Sequence, residues 1–265
     1  MKKLIVNADD FGWSRSVNAG IIECYKNGIV TRTSLLATGE AFDDAVTLAR
    51  QNPDLQIGVH LNFYRGKPLL KLSGILPNSV YNFLMQIVTK KITNVMVEKE
   101  FRAQIDKVKA TGLKISHLDS EKHLHLWPSV FKIVCKLAKD YQIPYVRLVR
   151  EKFSTNPISL VLTLLSHYNA RTLSMYGLET ADSTIGVSEA PVDVSAFEHL
   201  LGNGRGECVE LVVHPGFLDE QFWQMQKNIA NKLTYSRKAE AVVLSSHEAK
   251  ELTEKYEYTL DSNPN

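Results

Sequence analysis

His117-Leu118-Asp119-Ser120-Glu121-Lys122-His123-Leu124-His125 gathers three imidazoles and two carboxylates into nine consecutive residues. Side chains of these kinds bind divalent metals and move protons near neutral pH. The stretch follows Leu113, Ile115 and Leu118, which read as a short strand, and precedes Trp127-Pro128, which reads as the start of a helix. The cluster therefore lies where a strand gives way to a loop, the edge on which α/β proteins build active sites.

Three other runs repeat the pattern. Leu4-Ile5-Val6 ends in Asn7-Ala8-Asp9-Asp10-Phe11-Gly12, Gln56 to Val59 ends in His60-Leu61-Asn62, and Val209 to Val213 is followed by His214-Pro215-Gly216. Apolar strands that each end in His or Asp predict a parallel sheet with a site along one edge. Between them, Ser16–Lys26, Phe42–Arg50, Met96–Ala110 and Pro128–Lys139 carry apolar residues at helical spacing, and Thr33–Ala37 and Tyr145–Val149 read as further strands. This alternation predicts a single α/β domain with a mostly parallel sheet, either a barrel or a doubly wound sheet. Two segments, Tyr64–Asn94 and Arg150–Val187, read as long irregular insertions. They are expected to cover a substrate cleft, with aromatic faces at Tyr64, Tyr81, Phe83, Tyr168 and Tyr176; a subunit contact, and with it a homodimer, is the alternative.

Composition narrows the partners. The 265 residues carry 31 basic and 29 acidic side chains, a net charge of +2 that is too even for nucleic acid to be the main partner. Cys24, Cys135 and Cys208 are odd in number and widely spaced, which argues against a disulfide framework or a zinc knuckle. The start, Met1-Lys2-Lys3 before a three-residue apolar run, lacks the form of a signal peptide, and Ile158–Leu165 is too short to span a bilayer. A cytoplasmic protein without a transmembrane segment is expected. Gly202-Asn203-Gly204-Arg205-Gly206 precedes a strand, the reverse of a dinucleotide fingerprint, and reads as a helix stop and turn.

For the site itself, Asp9 and Asp10 can divide the work of a metal ligand and a general base. His60, with Asn62 beside it as a polar anchor, is a candidate ligand, and His214 a candidate acid. His117, Asp119 and Glu121 share one parity along the strand and so face one side. His123 and His125 line the pocket or hold its neighbours by hydrogen bonds.

The segments Val6-Asn7-Ala8-Asp9-Asp10-Phe11-Gly12, Asn27-Gly28-Ile29-Val30-Thr31, Gly58-Val59-His60-Leu61, His117-Leu118-Asp119-Ser120, His123-Leu124-His125, Pro128 and His214-Pro215 occur in that order across most of the chain. In them the sequence resembles the YdjC-like carbohydrate deacetylases, the family of chitooligosaccharide and hopanoid-biosynthesis deacetylases. The resemblance implies an irregular (β/α) barrel, similar to a TIM barrel, that removes N-acetyl groups from amino sugars with one divalent metal ion (Mg, Mn or Zn). It implies Asp9 as general base, Asp10 and His60 as metal ligands, and His214 as acid or oxyanion partner, with Asn62, His117, Asp119, His123 and His125 around them. Where many members place a third histidine ligand directly after Asp-Ser, this chain has Glu121. Glutamate is a harder, anionic donor, which shifts metal preference toward magnesium or manganese or marks a changed or lost activity. The rival readings are another metal hydrolase, such as a phosphoesterase, and a non-catalytic sugar-binding protein.

Overall fold

The computed structural model describes all residues except 64–67, 71–76, 78, 153–155, 221, 223–231 and 262–265. β1 (Lys2–Phe11) leads to α1 (Arg15–Lys26), β2 (Arg32–Leu35), α2 (Phe42–Gln51) and β3 (Gln56–Leu61). α3 (Val80–Val88) and α4 (Asn94–Lys109) precede β4 (Ile115–Ser120), a 3-10 turn (Glu121–Leu126), α5 (Pro128–Asp140) and β5 (Tyr145–Val146). The order continues with α6 (Pro157–Met175), β6 (Ser183–Ile185), α7 (Val194–Asn203), β7 (Cys208–Val213), α8 (Lys232–Leu244), α9 (His247–Lys255) and β8 (Tyr258–Leu260).

The strands form one sheet in the order β5-β4-β3-β2-β1-β7-β6, with β8 beside β1, and each named pairing is parallel. Hydrogen bonds link the two outer ends of the sheet, among them Val146 N–H to Glu179 O at 3.0 Å, Glu179 N–H to Pro144 O at 2.8 Å and Thr184 N–H to Arg150 O at 3.1 Å. The sheet thus curls into the irregular (β/α) barrel that the sequence predicts. β5 is shorter than the expected Tyr145–Val149. Beyond Val146 the backbone leaves the ladder because side-chain hydroxyls take its amides, Thr180 Oγ1 for Leu148 and Ser166 Oγ for Val149.

The two long segments are more ordered than expected. The first contains α3, and its return is anchored on Glu100, whose buried carboxylate accepts the Leu69 and Leu70 amides at 2.9 and 3.0 Å. The second contains α6 and β6. The α6 helix was hard to read because Ser159, Ser166 and Asn169 share its buried face with Leu162 and Leu173. Phe83 is no cleft aromatic: it is fully buried, with its ring 5.3 Å from that of Phe63. Tyr81 and Tyr168 are exposed, and Tyr64 lies outside the described residues. Among the described residues no helix is long and apolar enough to cross a membrane. The three cysteines are free, and Cys24 and Cys135 are buried as small core residues.

Strand alternation separates two layers. Leu4, Val6 and Ala8 of β1 join the large apolar cluster between sheet and helices, whereas Ile5 belongs to a small inner cluster with Tyr145 and Ala181. The rest of the barrel interior is polar: Asn7, Asp9, Arg32, Ser34, His117, Asp119, Arg147 and Glu210 are all buried there. Two glycines make room. A Cβ on Gly58 would lie 2.2 Å from His117 Nε2, and one on Gly28 would lie 2.0 Å from the Leu244 carbonyl oxygen. α1 ends at Lys26, and Gly28 just beyond it lets α8 approach that end. His117 sits between Ser34 Oγ, 3.0 Å from Nε2, and Ser116 Oγ, 2.8 Å from Nδ1. Ser34 gives its own proton to Asp119 at 2.6 Å, so it accepts from the His117 Nε2–H. Burial pushes the His117 pKa down to about 3, and that of the equally buried His125 to about 4.

Two outcomes follow from this packing. Gly58→Ala drives a methyl into the His117 ring and is expected to cost at least about 1–3 kcal/mol in urea unfolding, the scale of core overpacking. An unchanged midpoint would mean that the ring moves aside freely. Stability should also fall as pH drops from 6.5 toward 4. There the unfolded chain protonates histidines that the native state keeps neutral, at a slope of at most about 1.4 kcal/mol per pH unit for each. A flat stability profile across that window would contradict a neutral, buried His117 and His125.

Candidate active site

The first acidic pair enters the site through a backbone irregularity. Simple alternation along β1 would send Asp9 and Asp10 to opposite faces. Instead the register between β1 and β2 shifts between Ala8 and Phe11, and Asp10 adopts a left-handed φ of 72°. Left-handed backbone is uncommon outside glycine and clusters at functional sites, and bulges re-aim side chains. The result is that Asp9 and Asp10, both buried, each place a carboxylate oxygen within 4.8 Å of a ring nitrogen of His60.

Beneath the cavity lies Arg147, immediately after β5 and fully buried. Its Nη1 and Nη2 donate to Asp9 Oδ2 and Oδ1, both at 2.9 Å, a bidentate pair. Nη2 also lies 2.8 Å from Asp119 Oδ2, and Nε donates to Glu210 Oε1 at 2.8 Å. Asn7 Nδ2 adds a bond to Asp9 Oδ1 at 2.8 Å. Burial alone would raise the pKa of Asp119, but Arg147 and His60 hold it well below the usual carboxylate range.

His60, at the end of β3, connects two groups of acids. Its Nδ1 is 2.8 Å from Asp119 Oδ1, while Nε2 is 3.9 Å from both Asp10 Oδ1 and Glu121 Oε2. Burial opposes the imidazolium, but Asp119, Asp9 and Asp10 outweigh it and raise the His60 pKa to about 9. Two sets of three donor atoms therefore lie within 4.8 Å of one another: Asp10, His60 and Glu121, and Asp9, His60 and Asp119. The second is already satisfied by Arg147, which bonds both of its carboxylates, and by the His60–Asp119 hydrogen bond. In the first, Arg237 pairs with Asp10 at Oδ2 and leaves Oδ1 toward His60, and its oxygen and nitrogen donors fit a divalent cation.

His214 follows β7 with its Nε2 3.9 Å from Asp9 Oδ2. Its side chain is 20% exposed, against 3% for Asp9, so it stands nearer the opening. Burial lowers its pKa, and Asp9 and Glu240 partly oppose this. α8 holds it from both sides. Glu240 Oε2 accepts the His214 amide at 2.6 Å, and Arg237 Nη1 donates to the His214 carbonyl at 3.3 Å. Arg237 also binds Asp10 Oδ2 through Nη2, leaving Oδ1 toward His60.

The other predicted residues fall around this centre. His125 lies off the donor group: it accepts from Ser120 at Nδ1 (2.7 Å), and its Nε2–H donates to the Arg147 carbonyl (2.9 Å), a latch on Arg147. His123 has a φ of 55° and an Nδ1 that is buried with no hydrogen-bond partner among the described residues. Asn62 is tied to α4 through Gln104 at both its amide and carbonyl, and its Nδ2 donates to Thr38. Sequence reasoning missed Arg147, Glu210, Ser34, Arg237 and Glu240. A charge inside Val146-Arg147-Leu148-Val149 or Val209-Glu210-Leu211 was a usable signal, because strands buried on both faces are normally continuous apolar runs. Arg237 and Glu240 sit on a helix whose pattern the sequence reading did not resolve.

A profile of the YdjC-like protein family matches residues 3–255. A carbohydrate deacetylase from Brevibacillus brevis is 35% identical over 228 residues, covering 82% of this chain and 83% of its own. Another, from Oceanobacillus iheyensis, is 31% identical over 254 residues, covering 94% and 98%. Among solved structures, a candidate cellobiose-phosphate cleavage protein from Enterococcus faecalis V583 superposes with a TM-score of 0.75 at 28% identity, covering 98% of this chain and 97% of its own. On sequence, coverage and fold, this chain belongs to the YdjC-like family.

Proposed function

We propose that this chain is a metal-dependent hydrolase that removes the acetyl group from an N-acetylated amino sugar and releases acetate. The observation that carries the reading is the convergence of Asp10, His60 and Glu121 to within 4.8 Å, beside the Asp9–Arg147 pair and His214. The relatives described as carbohydrate deacetylases support the substrate class. Asp10, His60 and Glu121 would hold the ion. Two carboxylates and one imidazole suit magnesium or manganese better than an all-nitrogen or sulfur set would. Such an ion supplies Lewis-acid charge that polarises the amide carbonyl and acidifies water.

The chain's own residues carry the proton. Arg147 and Asn7 fix Asp9 in place, and among the described residues Oδ2 accepts the Arg147 Nη1 bond and keeps a lone pair toward His214. Asp9 takes the proton of the attacking water. That proton passes to His214 Nε2 and on to the departing amine nitrogen as the C–N bond breaks. Arg237 and Glu240 hold the backbone of His214 in place for this transfer.

Acetate release from a panel of N-acetylated sugars, with and without a chelator, tests the reading. Release that stops on chelation and returns with manganese or magnesium is expected; no release from any member would reject it. Asp9→Asn should lose about 10²–10⁴-fold in turnover, the usual contribution of a general base, while metal content stays near the parent's. The same change leaves Arg147 partly unpaired, so a lower melting temperature should accompany it, and activity is measured well below that temperature. Full turnover, or outright loss of metal, would break the assignment of Asp9. Asp10→Asn and Glu121→Ala should instead lower metal content, and Glu121→His should shift the preferred ion toward zinc. Metal content indifferent to Glu121 would remove it from the ligand set.

A further inference from the structure

α3 is apolar on both of its faces. Phe83 is fully buried with its ring 5.3 Å from that of Phe63, and Val80, Leu84 and Ile87 pack against the core beside it. The outward face carries Tyr81 (74% exposed), Met85 (42%) and Val88 (60%), which fall on one stripe at helical spacing. Val95, at the start of α4, is also exposed (61%). No residue of Val80–Val88 is charged, and its two amides, Asn82 and Gln86, bond each other at 2.5 Å. A surface helix normally turns charged or polar residues outward. The surrounding charge has one sign. From Leu55 to Val97 the sequence holds no acidic residue, against Arg65, Lys67, Lys71, Lys90 and Lys91, in a chain whose charges otherwise nearly balance. Lys90 and Lys91 directly follow α3 and are exposed. The turn that carries them is fixed: Lys90 has a left-handed φ of 57°, and the buried Ile92 donates its amide to the Gln86 carbonyl at 3.0 Å. An apolar stripe therefore ends in a cationic tip.

We propose that α3 lies on the surface of an anionic phospholipid bilayer, with Tyr81, Met85 and Val88 at the boundary of headgroups and acyl chains and Lys90 and Lys91 among the lipid phosphates. Interfacial helices combine an apolar face with lysine or arginine, and their binding grows with the apolar area buried and with attraction to anionic lipid. Tyrosine suits that boundary, because its ring is apolar and its hydroxyl stays wet. Charge selects the occupant. A second copy of the chain on this face would bring two sets of lysines to one interface, with no acid on α3 to pair them. The next acid along the chain, Glu98, is already paired with Arg102 and Lys136. An anionic bilayer supplies apolar and negative chemistry together. The position gives docking a consequence. Phe63, on which Phe83 packs, lies three residues beyond His60, so α3 stands on the edge of the barrel that carries His60. Docking would bring that edge to the lipid surface.

Flotation of the full chain with equimolar phosphatidylcholine–phosphatidylglycerol vesicles tests this. The parent should float with them, should bind pure phosphatidylcholine vesicles at least about 10-fold more weakly, and should come off as salt rises. Met85→Glu and Val88→Glu should each weaken binding by at least about 10-fold, and Lys90→Gln combined with Lys91→Gln by about 10-fold or more. All four positions are exposed, so circular dichroism and melting temperature should stay at the parent's values. Val242→Glu, at a residue on α8 that is 62% exposed, should bind as the parent does. A parent that leaves the anionic vesicles unbound overturns the proposal, as does binding that is equal on the two kinds of vesicle or that survives the substitutions at Met85 and Val88. Sedimentation equilibrium provides a second arm: a parent that ignores vesicles and a dimer that Met85→Glu turns into monomers would assign the face to a second copy instead.

Discussion

Arg147 is a guanidinium with no solvent contact, and the interior of the barrel is arranged around it. It joins the end of β1 through Asp9, the end of β4 through Asp119 and β7 through Glu210, so one side chain ties strands from across the curled sheet. Its own backbone is held by His125 and by the Leu118 carbonyl. Breaking a buried pair of this kind by removing one partner typically costs about 3–5 kcal/mol, because the remaining charge is stranded. The polar interior is therefore stable only as a set, and the positions of Asp9 and Asp119 follow from it.

Negative charge gathers above the same network. Among the described residues the buried carboxylates Asp9, Asp10, Asp119, Glu121, Glu210 and Glu240 stand with the buried guanidiniums Arg32, Arg147 and Arg237 and with His60. The raised pKa of His60 is one expression of that negative charge. A divalent cation among Asp10, His60 and Glu121 would relieve it. Such an ion would also account for Glu121: a carboxylate there would add negative charge beside the cation, and it is a stronger donor to hard cations than to soft ones.

Much of this was legible in the sequence. Apolar runs ending in Asp or His located the sheet edge, and the parity of His117 and Asp119 was right, since both meet Ser34 inside the barrel. What failed had physical causes. The relation of Asp9 to Asp10 depends on a bulge and a positive φ, which no side-chain pattern announces. The anchors Arg147 and Glu210 act across long sequence separations, and a single charge in an apolar strand does not name its partner. α6 was obscured because its polar residues face inward, so its apolar period described the wrong side of the helix. For His125 the sequence left open whether it lines the pocket or holds a neighbour by hydrogen bonds, and the bond it makes to the Arg147 carbonyl is of the second kind.

The central claim is that Asp10, His60 and Glu121 share one divalent cation above an Arg147 network that already satisfies Asp9 and Asp119. Anomalous diffraction from crystals soaked in manganese locates that ion directly. The account predicts one peak, about 2.0–2.3 Å from Asp10 Oδ1, His60 Nε2 and a Glu121 oxygen, with the Arg147–Asp9 pair intact. A peak between Asp9 and Asp119, or one that Glu121 does not reach, would contradict it.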